Sequence, residues 1–179
     1  KANWMRLRRG WSFDSDGREA AVLKGWVESR FGLLPRFHGE PLRDFSGAAY
    51  LRYQEMRSTG LYGTNALEAQ LDLLYAFSQY EFRRAGTPGR HIELFRGINR
   101  IAEHEVLGKS ARRQIVLFNN LVSFTSSRER ASEFGDYILS TRVPTEKIFF
   151  SHALISGVLK GEEEYLVIGG VYDVAIDTL

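Results

Sequence analysis

The chain has 179 residues, 44% of them hydrophobic and 26% charged, which is globular composition and enough chain for one sizeable core. It has no cysteine, which excludes disulfide staples, thiolate metal sites and a cysteine nucleophile and fits a cytoplasmic location; no run of about 18 uncharged apolar residues exists, so no membrane insertion is expected. Formal net charge is only +2, with a local excess at Arg6, Arg8 and Arg9 beside Trp4 and Trp11, but no nucleic-acid recognition motif follows, so these arginines read as the solvated face of a first helix or turn.

Three helices are expected next, over Glu19 to Phe31, Gly47 to Arg57 and Asn65 to Arg84. The third has Leu67, Leu71, Leu74 and Phe77 at helical spacing as a core stripe, with Asn65 as cap and Glu68 three residues on. Breakers separate them: Pro35, Gly39 and Pro41, then Gly60 and Gly63. Beyond Gly86-Thr87-Pro88-Gly89 the pattern becomes short β-rich runs, at His91 to Ile98, Ile115 to Phe118, Leu121 to Thr125, Tyr137 to Val143, Ile148 to Ser151, Glu164 to Ile168 and Val171 to Ile176. One helical interruption, Ser127 to Phe134, starts on a serine in capping position. The fold class is α+β in a single domain over 1–179, mainly helical over 1–86 and mainly β over 87–179.

Three of the strands carry polar residues where apolar ones belong. Alternation puts Arg96 on one face with Ile92, Leu94 and Ile98, and a guanidinium there requires an anion, either a protein carboxylate or a ligand phosphate. In Leu121 to Ser127, Ser123 and Thr125 share a face opposite Val122 and Phe124; such hydroxyls orient a neighbour, bind a ligand or serve a turn. In Gly161-Glu162-Glu163-Glu164-Tyr165-Leu166, Glu164 shares a face with Leu166 and Ile168, and alternation projects Glu162 to the same side about 7 Å away. Asn119 and Asn120 read as a turn before the serine strand or as cleft lining, Phe124 as a stacking ring or as core, and the histidines show no metal-ligand spacing.

An arginine on an early strand, a Ser-x-Thr strand and a Glu-x-Glu before an apolar strand, in this order, resemble the R-S-E signature of the ADP-ribosyltransferases. More closely, FDSDGREAAVLKGWVESRFGLLPRFHGEP, YGTNALEAQLDLLY, SFTSSRERASEFGDYIL and LKGEEEYLVIGGVYDV resemble the dinitrogenase reductase ADP-ribosyltransferases over nearly the whole chain. The resemblance implies a β-sandwich core of two small sheets gripping NAD⁺ in a cleft, no metal, and transfer of ADP-ribose to an arginine of the nitrogenase iron protein under control of a PII-type signalling protein. It implies Arg96 on the NAD⁺ diphosphate, Ser123 orienting the catalytic carboxylate, Glu164 as that carboxylate and Glu162 engaging the acceptor arginine. Thr125, Ser126 and Phe124 join Arg96 and Ser123 as candidate NAD⁺ contacts, with Ser126 the alternative register for the motif serine. Another acceptor, or a non-catalytic nucleotide-binding module, are the competing readings. Members of that family begin further upstream, so an N-terminal segment is expected to be missing.

Overall fold

The computed structural model describes residues 3–62, 66–86, 90–101, 104–110, 112–154 and 163–178. Helix α1 (Trp4–Phe13) begins where the Asn3 side chain accepts from Arg6 N at 2.9 Å. Helix α2 (Arg18–Phe31) ends on Gly32, whose φ of 66° is the left-handed cap that glycine adopts without strain. A two-residue pair, β1 (Phe37–His38) with β2 (Glu40–Pro41), precedes α3 (Ala48–Leu61) and α4 (Leu67–Arg84). The strands follow: β3 (His91–Ile98), β4 (Glu105–Lys109), β5 (Arg113–Thr125), then α5 (Arg128–Ser132), β6 (Tyr137–Pro144), β7 (Ile148–Ser151) and β8 (Glu164–Thr178). The α+β class and the helices-before-strands order are as read from the sequence.

By contacts the chain forms two compact units, one running to Leu73 and taking in Asn119–Leu121, the other comprising Leu74–Phe118 and the chain from Val122 onward. In the first, α2 buries an unbroken stretch from Ala20 to Val27, so its middle turns are core all round. Lys24 lies within that stretch at 1% exposure. Its ammonium donates to Asp16 Oδ1 at 3.1 Å and Phe37 O at 3.0 Å, meets His38 Nδ1 at 3.2 Å, and stands 5.8 Å from the Trp11 ring. A buried ammonium with three acceptors is tolerable; one without them is not. The basic start is also less solvated than expected, because Arg8 is only 5% exposed while Leu7 and Trp11 on the same helix are core.

The second unit holds the sheet, in strand order β4-β5-β3-β6-β8-β7 with a further β5–β8 pairing. The register-defined pairs are antiparallel. Its core includes Leu94, Leu139, Val143, Ile148, Val167 and Val174, each fully buried. The family resemblance implied a β-sandwich of two small sheets; the described strands hydrogen-bond as one six-stranded set, in which β5 and β8 are each long enough to serve different neighbours at their two ends. Residues Tyr165, Leu166 and Val167 of β8 pair with β7, and Ala175 to Thr178 pair with β6. The Gly169-Gly170 break expected between two strands is a bend inside one, with Gly170 at φ 110°. Asn119-Asn120 likewise lies within continuous strand. Asn120 Nδ2 donates to Lys24 O and Leu33 O, and Asn119 pairs with Arg36 N and Phe37 O, so these amides are used by backbone of the helical unit and make no turn.

On α4 the buried stripe is Leu67, Leu71, Leu74 and Ser78, while Phe77 is 42% exposed. From Leu67 a period of 3.6 reaches Ser78 rather than Phe77, and the Ser78 hydroxyl donates to Leu74 O at 2.9 Å. The expected cap Asn65 lies outside the described residues.

His38 generates a pH prediction. Burial, followed by the Lys24 charge, lowers its pKa to about 4 against an ordinary 6.5, with Asp16 and Asp14 opposing. Between those values the unfolded chain binds a proton that the folded one does not. The stabilisation is therefore complete above about pH 6.5 and lost as pH falls toward 4, by up to roughly 3 kcal/mol. Urea unfolding of His38→Gln should show a flatter pH dependence across that window than the parent; equal slopes would exclude His38 as the cause.

Candidate active site

Residues 96, 123 and 164 come together in the second unit. Arg96 sits on β3 opposite Leu139 of β6, on the side that carries the buried Leu94 and Ile98. Its Nη1 donates to Ser123 O at 2.7 Å, whereas its Nε is buried without a hydrogen-bond partner among the described residues. A carbonyl answers one N–H but supplies no counter-charge, and burial lowers the guanidinium's pKa from its ordinary value. Neither of the sequence alternatives for Arg96 is a described contact: its hydrogen bond goes to a carbonyl, not to a protein carboxylate.

Ser123 is reached from the other side by β8. Its hydroxyl donates to Glu164 Oε1 at 2.8 Å, a charge-assisted bond that fixes one carboxylate oxygen. The link requires β5 and β8 to be neighbours, which they are. Glu164 opens β8 and is half-buried, with Leu166 and Ile168 behind it at 3% and 0% exposure.

The remaining hydroxyls divide their tasks. Ser126 Oγ meets Glu163 Oε2 at 3.4 Å, while Thr125 Oγ1 accepts from Ser127 N at 3.1 Å and Ser127 Oγ caps α5 through Arg130 N. Thr125, 7% exposed, therefore serves the turn. Phe124, at 3%, packs edge-on against Phe118 with centroids 5.5 Å apart; its ring belongs to the core and offers no stacking face. Tyr165, which the sequence reading treated as plain strand, stands between Ser126 and the His152 ring at 5.9 Å. Its only sequence signal was its place beside Glu164. Burial, then the Glu163 charge, push its phenol up while the Ser126 bond opposes.

The acidic triplet behaves differently from simple alternation. The strand starts at Glu164, and Glu163 has φ 38°, a left-handed conformation uncommon outside glycine. Strand alternation therefore cannot be carried back through Glu163 to aim Glu162, which lies outside the described residues, as does the 155–161 loop. Next to Arg96, Gly97 is required by packing: a Cβ there would collide with Ala131 O of α5. Among the described residues no three His, Asp or Glu are grouped as metal ligands. None of the described helices is long and apolar enough to cross a membrane.

Comparison with known proteins gives two matches in sequence. The family model for dinitrogenase reductase ADP-ribosyltransferase matches residues 1–176. The NAD(+)--dinitrogen-reductase ADP-D-ribosyltransferase of Rhodospirillum rubrum is 49% identical over 174 residues, covering 96% of this chain and 63% of that protein. The chain thus spans somewhat under two thirds of that relative's length. No solved structure matches.

The Arg96 geometry makes its own prediction. Replacing a part-buried charge that has no counter-ion among the described residues by an apolar side chain of similar length is neutral or stabilising. Arg96→Met should unfold in urea within about 1 kcal/mol of the parent or above it. A loss of several kcal/mol would instead mark Arg96 as a structural ion-pair residue.

Proposed function

Because the chain belongs to the dinitrogenase reductase ADP-ribosyltransferase family, matched over residues 1–176, we propose that it transfers ADP-ribose from NAD⁺ to an arginine of dinitrogenase reductase. The observation that carries this reading is the chain of contacts Arg96 Nη1 to Ser123 O and Ser123 Oγ to Glu164 Oε1, which joins three residues from separate strands. The relative from Rhodospirillum rubrum, whose name states NAD⁺ and dinitrogen reductase, supports the substrate and the target.

In this reading NAD⁺ lies in a cleft beside β3, β5 and the start of β8. The Arg96 guanidinium, short of an anion, takes the diphosphate. The ribose bond to the nicotinamide nitrogen breaks with its electron pair leaving on that nitrogen, which turns a cationic ring neutral and needs no acid. Positive charge develops on the ribose as it departs, and a carboxylate held in advance stabilises it without reorganising. Glu164 supplies that charge, held by Ser123. The acceptor guanidinium nitrogen then bonds to the ribose carbon and gives up one proton, for which Glu162 is the proposed base. We place Ser126, through Glu163 and Tyr165, beside this centre, and assign Ser123 as the motif serine. A PII-type protein is the proposed regulator, the helical half of a single domain is the proposed place of control, and the cytoplasm is the proposed location.

The test is nicotinamide release from NAD⁺ with and without purified dinitrogenase reductase, with protein mass read for an added ADP-ribose. Glu164→Gln should lower release at least about 10³-fold, and Ser123→Ala about 10- to 100-fold with little change in KM. Release without transfer would keep the chemistry and move the target; equal rates in Glu164→Gln and parent would overturn the assignment.

A further inference from the structure

A cavity of about 410 Å³ lies in the second unit, and none of Arg96, Ser123 or Glu164 lines it. Its walls include Arg100 just beyond β3, Arg112 just before β5, Arg113 and Gln114 at the start of β5, Tyr137 at the start of β6 and Ile176 near the end of β8. Along β5 the cavity lies nine residues from Ser123, whereas its wall residue Asn99, just past β3, is three residues, roughly 10 Å of extended chain, from Arg96. Its volume is within the roughly 300–1,000 Å³ typical of small-ligand sites.

Among the described residues no carboxylate lines the cavity. Arg113 is committed elsewhere, its Nε on both Asp173 carboxylate oxygens at 2.8 and 2.9 Å and its Nη2 on Asp173 O at 3.2 Å. Arg100 and Arg112 are exposed and have no ion pair or hydrogen bond from their guanidinium groups among the described residues. Arginine forks that are held near a cavity and lack a carboxylate suit phosphate oxygens. Two further features point past a bare anion. The Gln114 Oε1 is buried with no hydrogen-bond partner among the described residues, an acceptor that a ligand N–H or O–H would satisfy. The Tyr137 ring is 37% exposed and, with Ile176, forms an apolar wall against which a flat ring can lie.

We propose that this cavity is a second ligand site, taking a small phosphorylated molecule whose phosphates meet Arg100 and Arg112 and whose ring and donor groups meet Tyr137 and Gln114. The phosphate chemistry has two sources, a nucleoside phosphate or a free oligophosphate. Calorimetric titrations with ADP, inorganic pyrophosphate and adenosine separate them, performed on the full chain carrying Arg96→Met so that binding at the transferase centre does not contribute. Saturable binding of ADP and pyrophosphate is expected, weakened at least about tenfold when Arg100→Ala and Arg112→Ala are added. ADP binding tighter than pyrophosphate, with weak adenosine binding, assigns a nucleoside phosphate; equal ADP and pyrophosphate affinity assigns the free oligophosphate. The double Arg100→Ala, Arg112→Ala variant on the parent chain is the check that does not depend on Arg96→Met folding, and it should keep its urea midpoint while losing one class of bound pyrophosphate. No saturable binding, or binding untouched by the double substitution, would overturn the site. Neither readout uses transferase activity, so failure here and failure of the proposed reaction are distinguishable.

Discussion

A guanidinium on the apolar side of β3 must keep its charge inside a sheet, and the rest of the candidate site is arranged around that requirement. The Ser123 carbonyl is the acceptor that meets Arg96, and for it to do so the end of β5 has to lie beside β3, as the Phe95–Thr125 pair shows. That placement turns the Ser123 hydroxyl to Glu164, which in turn needs the start of β8 alongside β5. The same packing brings α5 so close to β3 that position 97 admits no side chain. The contacts of one part-buried charge thus run through β3, β5 and β8.

Lys24 and Glu28 of the helical unit contrast with Arg96. In the helical unit Lys24 is surrounded by a carboxylate, a carbonyl and an imidazole nitrogen, and Glu28 accepts from Tyr50, Tyr53 and Arg57. Those charges are answered within the fold, which is what structural polar groups require. Among the described residues Arg96 donates to one carbonyl oxygen, and its buried Nε has no hydrogen-bond partner. Arg96 and Glu164 thus bring opposite charges to one serine, the first through its carbonyl and the second through its hydroxyl.

Legibility tracked the length scale of the signal. Short β-rich runs placed β3 and β7 with their observed bounds, and alternation along β3 put Arg96 among apolar neighbours correctly. Ser127 was legible as a cap because an N-cap needs only a hydroxyl and the amide three residues on. Local rules failed where a distant partner supplied what they assumed missing. Asn119-Asn120 reads as a turn only until backbone groups from residues 24 to 37 take its amides. Gly169-Gly170 reads as a break only until β8 bends there and changes partners. The weak alternation of Glu105–Lys109, with a bulge between Val106 and Gly108, hid β4 altogether.

The residue types of the site, their order and the strands that carry them were determined by the sequence, because periodicity and chemistry are both local. Which hydroxyl holds which carboxylate was decided only by tertiary structure: Ser123 and Glu164 are 41 residues apart, and the pairing of β5 with β8 sets their 2.8 Å separation. The fates of Phe124 and Thr125 were decided the same way, one by the core behind β5 and the other by the turn into α5. Side-chain direction follows from a strand's own period, but what stands at the end of that direction depends on elements that arrive from elsewhere in the chain.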